Sequence, residues 1–244
     1  MNKLKVNNLF IFTLGLVCLS LGVVLVIKSD LGVSVATSLP YVISLQFTAI
    51  SFGMWNYIIH GLVLALLVII VKRLTVKYLM SFIVAFLFGT AIDIFTFLLE
   101  PINAESFVNR LALFILGSIV ISIGVASFIK SNYPILPFDT FVKEISLEKD
   151  ITISKFKTGF DLTIFSLSFS FSLIFFRAIE GLHIGTLVSA VILGSMIGAC
   201  LKILNKYIEG KTFFAEEKIK SVMDLNLLKY LKAKGVQSKD SVEK

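Results

Sequence analysis

Phe10-Ile-Phe-Thr-Leu-Gly-Leu-Val-Cys-Leu-Ser-Leu-Gly-Val-Val-Leu-Val-Ile-Lys-Ser29 carries Gly15, Gly22, Lys28 and Ser29, and the same spacing returns 102 positions later as Gly117, Gly124, Lys130 and Ser131. The echo continues beyond that stretch. Ile50-Ser51 corresponds to Ile153-Ser154, and Ala85-Phe-Leu-Phe-Gly89-Thr-Ala-Ile to Ala190-Val-Ile-Leu-Gly194-Ser-Met-Ile. One membrane unit is therefore written twice. Whether the copies lie parallel or upside down depends on how many spans each holds, and an odd number inverts the second copy, as in transporters that alternate access around a midplane site.

Composition places the chain in a bilayer: 57% of its residues are hydrophobic, 16% are charged and the mean hydropathy is +0.93. Apolar runs fall at 9–27, 55–71, 78–99, 111–129, 159–176 and 184–204. Each approaches the ~20 helical residues that cross ~30 Å of hydrocarbon, and no run alternates as a barrel strand does. Two shorter stretches, Leu31 to Phe47 and Tyr133 to Leu147, occupy matching places in the two halves. Ser34, Thr37, Ser38 and Pro40 mark the first, and Pro134, Pro137, Asp139, Lys143 and Glu144 the second, so neither suits lipid. They read as half-helices that dip in and return, their irregular backbone sheltered by protein or a wet cavity.

Charge distribution supports six spans over eight. With the N-terminus inside, every Lys and Arg of the 23 except Lys28, Arg110 and Arg177 falls on the cytoplasmic side, as the positive-inside rule requires. Making Leu31 to Phe47 a full span would turn Lys72, Arg73 and Lys77 outward. The expected fold is thus an all-α membrane protein of six transmembrane helices. They form two inverted-topology three-helix repeats, 9–100 and 109–205, each with a re-entrant or broken half-helix. A short cytoplasmic N-terminus (1–8) precedes them, and a basic amphipathic cytoplasmic tail (206–244) follows.

In that tail Ile219, Val222, Met223, Leu227, Tyr230 and Leu231 follow helical spacing among lysines, which suits the cytoplasmic lipid surface or a docked partner. The +7 net charge is accounted for by topology and anionic lipid, with no nucleic-acid partner. Residues 1–27 have the outline of a signal peptide; because the matching fourth span is internal, this segment is expected to stay uncleaved. Cys18 and Cys200 sit in spans without metal-ligand or redox spacing, so no metal and no cofactor are expected.

Ile27-Lys-Ser-Asp-Leu-Gly-Val-Ser34, Phe86-Leu-Phe-Gly-Thr-Ala-Ile-Asp93, Ile129-Lys-Ser-Asn-Tyr-Pro-Ile-Leu-Pro-Phe-Asp139 and Ile184-Gly-Thr-Leu-Val together resemble the YczE/YitT/YyaS group of bacterial membrane proteins. The likeness runs from about residue 9 to 205. It implies a bacterial inner-membrane protein, with transport the usual presumption. The first half departs from the group by carrying Thr37 where an acid often stands, which leaves Asp139 as the acid at that kind of position.

Four acids lie in or beside the membrane segments, where a mid-bilayer charge costs about 2.5–3.5 kcal/mol on insertion scales. Asp139 follows Pro137 and suits a first helical turn. Capping is one reading for it and for Asp30, and a site for a cation or proton beside half-helix N-termini is the other. Lys157 and Asp161 stand four apart as a helical pair. Asp93 has no charged neighbour within a turn and is the foremost candidate for a functional acid. Ser34, Thr37, Asn56 and Thr140 are candidate groups of a site for a small molecule or ion.

His60 and His183 are read as lone packing and a loop position, and Trp55 as an interface aromatic. Gly194 and Gly198 form a Gly-x-x-x-Gly suited to close packing within the monomer or to a homodimer seam. No catalytic constellation is visible, so no enzyme is expected. The function expected is a secondary transporter with its site between the repeats; a channel, or a membrane regulator acting through the tail, are the alternatives.

Overall fold

The computed structural model describes residues 4–211. It contains α1 (Asn8–Lys28), α2 (Val35–Gln46), α3 (Phe52–Val71), α4 (Val76–Leu98), α5 (Phe107–Ser131), α6 (Pro137–Glu148), α7 (Ile153–Phe176) and α8 (Ile184–Tyr207). Six of these are long and apolar enough to cross a membrane, and α2 and α6, of 12 residues each, are not. The apolar runs locate the spans, but α3, α5 and α7 begin three to six residues earlier than hydropathy indicates. In α3 and α5 the preceding serine holds the first turn as helix. Ser51 and Ser106 accept from the Met54 and Asn109 amides at 3.1 and 3.2 Å, filling donors that a helix start leaves open.

The 1–8 and 206–244 segments meet where the described residues reach them. Leu4–Asn7 (β1) pairs in parallel with Ile208–Lys211 (β2), tying the start of α1 to the end of α8. Leu4-Lys-Val-Asn7 alternates apolar and polar residues, but four residues are too few to signal a strand, and partners about 200 positions apart cannot be matched from sequence. The amphipathic pattern of the tail lies outside the described residues.

The bundle is organised on the pair α1 and α5. Gly15 stands against Gly124 and Ser127, and Gly22 against Gly117 and Ile121, so the helices run antiparallel at backbone contact. An added Cβ at Gly22 would lie 2.6 Å from the Ile121 nitrogen, and one at Gly124 2.5 Å from the Leu19 nitrogen. Without a hydrophobic drive inside lipid, such close approach is what holds helices together. Val24, Phe88, Ile92 and Ile121 close the core of α1, α4 and α5. Buried Ser20, Ser118, Ser122 and Ser168 each donate to a carbonyl one turn back in their own helix, at 2.7–2.8 Å. These hydroxyls need no tertiary partner.

Outward faces are apolar. Ile69, Phe97, Ile184 and Val191 remain at least 69% exposed, an arrangement that water penalises and lipid does not. This is a multi-pass membrane protein.

Both short helices are entered through a left-handed residue, Asp30 (φ 54°) after α1 and Asn132 (φ 56°) after α5. In each case the preceding buried serine turns its hydroxyl back onto the helix, Ser131 reaching the Phe128 carbonyl at 2.8 Å and Ser29 that of Val26. Segment 31–33 then lies on the start of α8. Gly185 N–H donates to the Leu31 carbonyl at 2.8 Å, Val33 N–H to Thr186 Oγ1 at 3.0 Å, and Ser189 Oγ to the Val33 carbonyl at 3.3 Å. Gly32 has φ +137° and no room for a side chain against Thr186. The non-helical backbone is therefore sheltered by protein, as a segment at membrane depth must be.

Candidate functional site

The four acids flagged in the sequence sit near the two ends of the bundle, and each has a partner. At one end, Asp30 pairs with Arg110 at 3.1 Å. Asp30 caps no helix: it follows the end of α1, and the N-cap of α2 is Ser34. Asp93 lies at the same end, half-buried near the C-terminus of α4. It accepts from Ser51 Oγ at 2.6 Å and from Gly53 N–H at 2.8 Å, so the start of α3 is the tertiary partner that its own helix does not supply. The carboxylate faces free amides and the positive end of the helix dipole there.

At the opposite end Lys157 lies 3.4 Å from Asp139 and 3.7 Å from Asp161. The expected four-apart pair is thus widened to a triad by Asp139 from the first turn of α6, behind Pro137. All three side chains are at least a third exposed, and the pairs contribute on the order of 0.2–1 kcal/mol each. Beside them Arg73 reaches Glu144 and Glu148 at 3.6 and 3.5 Å, and Tyr78 donates to Glu144 at 3.0 Å.

Among the uncharged candidates, Ser34 and Thr37 share a 2.8 Å hydrogen bond at the start of α2, and Thr140 shares one of 2.9 Å with Ser81 of α4. Ser38, named among the polar residues of the first short stretch, and Ser168, which no sequence signal singled out, join α2 to α7 at 2.8 Å. Serine is frequent in these helices, and nothing in its spacing reveals which hydroxyl crosses to another helix.

Asn56 and His60 differ from all of these. One turn apart on α3, they are 0% and 3% exposed. No described group lies within hydrogen-bonding distance of Asn56 Oδ1, Asn56 Nδ2 or His60 Nδ1. At 100° per residue they lie between the side of α3 that carries Gly53 and Tyr57 against α4 and the side that carries Ile59 among residues of α2 and α7, so both point toward the centre. Leaving such groups unpaired costs about 1–3 kcal/mol apiece. His60 has been read as lone packing, and its ring does lie 4.3 Å from Phe138; its nitrogen is what packing leaves unexplained.

Around them the centre is filled. Ile43, Ile59, Phe138 and Ile164, from α2, α3, α6 and α7, form one apolar cluster. A cleft of about 150 Å³ lies instead between α5 and α8, walled by Phe114, Ile192, Leu193 and Met196, and its Ser118 and Ser189 already donate within their own helices. A second, of about 10 Å³, lies among Asp30, Tyr41 and His183 and has room for about one water. Among the described residues no three His, Cys, Asp or Glu stand together as metal ligands would. Trp55 Nε1 donates to the Phe47 carbonyl at 3.3 Å, and both cysteines are partly buried thiols.

Comparison with known proteins gives the chain a family and no activity. The chain is 26% identical over 201 residues to "Uncharacterized protein YyaS" of Bacillus subtilis (strain 168), an alignment covering 82% of this chain and 95% of the relative. No solved structure matches it. Residues 6–202 match the family described as "Family of unknown function (DUF6198)", and the chain, a multi-pass membrane protein of YyaS type, belongs to that family.

Proposed function

We propose that the chain is a secondary transporter of a small solute, built from two inverted three-span repeats, with its site between them and both termini cytoplasmic in a bacterial inner membrane. The observation that carries the reading is an exchange symmetry in the contacts. Gly15 meets Gly124 while Gly22 meets Gly117, and since Gly15 corresponds to Gly117 and Gly22 to Gly124, exchanging the repeats maps one contact onto the other. A two-fold axis in the membrane plane does this for antiparallel helices. Lys28 on the Glu100 carbonyl (3.2 Å) corresponds in the same way to Lys130 on Asn205 (2.8 Å). Left-handed Asp30 corresponds to left-handed Asn132, and left-handed Lys72 to left-handed Arg177.

The symmetry is broken at one place. Gly53 and Gly89 bring α3 and α4 to backbone contact, reinforced by Tyr57 on Phe86 at 5.5 Å. The corresponding α7 and α8 stand apart: nothing lies within 4 Å of an added Cβ at Gly194 or Gly198. Two copies of one unit in different conformations are what alternating access needs, because exchanging the conformations gives the other state. The filled centre favours this over a continuous pore, and the proposal assigns the protein no catalytic chemistry.

The exchange is testable by cross-linking. Phe156 and Gly194 occupy the places of Gly53 and Gly89. In a chain with Cys18 and Cys200 replaced by serine, Phe156→Cys with Gly194→Cys is expected to form a disulfide in membranes, as α7 and α8 close to Cβ separations of about 4 Å. Phe156→Cys with Ile203→Cys serves as the distant control. A rate no greater than the control's refutes alternation and leaves a fixed membrane regulator as the better reading.

Orientation is tested separately. Single cysteines at Thr75 and Thr152 are expected to react with an impermeant maleimide only from the cytoplasmic side, and one at Ala104 only from outside. Labelling of position 75 from outside reverses the topology.

A further inference from the structure

We infer that Asn56 and His60 are the binding groups of a site for a small neutral solute of the primary-amide class, one that opens at the bundle centre when the repeats move and is closed over by apolar side chains in the present conformation. The inference deepens the transporter reading and rests on it for the route by which a solute reaches the centre. Three polar atoms one helical turn apart, more than nine-tenths buried and without a described partner, are a destabilising arrangement that an apolar side chain of similar size would relieve. Polar groups of this kind become favourable when a ligand supplies the missing hydrogen bonds.

The chemistry of the groups selects the ligand. An asparagine side chain presents a carbonyl acceptor beside an amino donor, and the imidazole Nδ1 adds a third hydrogen-bonding position. A primary amide offers the complementary donor and acceptor on neighbouring atoms and satisfies the asparagine twice. Charged solutes fit poorly. The acids considered above are engaged near the bundle ends, with Arg110, Lys157, or the Ser51 hydroxyl and Gly53 amide, so an ion at the centre would lack the counter-charge that burial requires. A hard cation would also need more oxygen ligands than Asn56 provides. The Phe138 ring, 4.3 Å from His60, gives a flat apolar wall suited to a planar amide. Repeat two has Gly159 and Thr163 at the corresponding places, so recognition belongs to α3 while both repeats move around it.

Thermal unfolding of the purified full-length chain in detergent, with acetamide, nicotinamide, N,N-dimethylacetamide and glycerol as probes, tests the assignment. Acetamide and nicotinamide are expected to raise the melting temperature saturably. N,N-dimethylacetamide, which keeps the acceptor and lacks the N–H donors, and glycerol are expected to leave it unchanged. Asn56→Leu is expected to melt at or above the wild-type temperature and to lose the amide-induced shift.

Three results overturn the inference: no shift with either amide, an equal shift with N,N-dimethylacetamide, or a folded Asn56→Leu protein that melts well below wild type or keeps the shift. The comparison among probes needs only the wild-type chain, so it decides even where the variant does not fold. Uptake of labelled acetamide into proteoliposomes separates the two readings. A shift that Asn56→Leu abolishes, without uptake, upholds the site and overturns the transporter; uptake that survives Asn56→Leu overturns the site and upholds the transporter.

Discussion

Gly22→Ala is expected to destabilise the folded protein by about 1–3 kcal/mol, the usual range for forcing a methyl group into a packed core, whereas Gly194→Ala leaves stability unchanged or slightly raised. The two substitutions are chemically identical, and both replace a glycine inside an apolar helix. At position 22 the new methyl would lie 2.6 Å from the Ile121 nitrogen and 2.8 Å from the Gly117 carbonyl oxygen. Both are backbone atoms that no rotamer change moves, so α1 and α5 must separate along a seam on which the rest of the bundle is built. At position 194 nothing lies within 4 Å, and alanine loses less conformational freedom than glycine on entering a helix. Melting curves of the two variants in detergent check the contrast. Equal destabilisation by both would mean that α8 is packed by something the monomer lacks, which is the homodimer reading of its glycines.

That contrast also marks how far the sequence could be read. Gly15, Gly22, Gly117 and Gly124 are visible as a repeat because equal local requirements impose equal spacing, and span positions are visible because hydrocarbon demands about 20 apolar residues. The two short helices are legible for the complementary reason that their polar and proline content makes them unfit for lipid. Gly194 and Gly198 have the same local pattern as the packed glycines yet meet nothing among the described residues, since a pattern records what a helix can do and its neighbours decide whether it does so.

The site was less legible for the same reason. Asp93 finds its partner Ser51 at a separation of 42 positions and Asp139 finds Lys157 at 18, and neither pairing leaves a trace in local spacing. Asn56, by contrast, is legible as a candidate site group, and what distinguishes it, the lack of a partner among the described residues, emerges only once the helices are packed.

Asp93 yields the sharpest remaining prediction, because its surroundings and its residue type suggest different roles. An isolated acid in a membrane helix reads as a coupling group. Its geometry is that of a clamp: it accepts from Ser51 Oγ at 2.6 Å and Gly53 N–H at 2.8 Å, while Ser51 Oγ accepts from Met54 N–H at 3.1 Å. Asp93→Leu leaves the Gly53 amide without its acceptor, at about 1–3 kcal/mol, and removes a favourable charge from the helix N-terminus, at about 0.3–1 kcal/mol.

The clamp closes α3 on α4 beside the turn that carries Asn56. Asp93→Leu is therefore expected both to lower stability and to increase cross-linking between positions 156 and 194, as the balance moves toward the exchanged state. Asp93→Asn keeps a carbonyl oxygen for the Gly53 amide but puts an amino group where the second oxygen accepted from Ser51 Oγ, so it is expected to lose less stability than Asp93→Leu and to retain the fold, near-normal cross-linking and undiminished flux from mildly acidic to mildly alkaline pH. If Asp93→Asn instead folds normally and abolishes flux, the carboxylate does more than hold α3 against α4, and the coupling role that an isolated acid in a membrane helix suggests is the better reading.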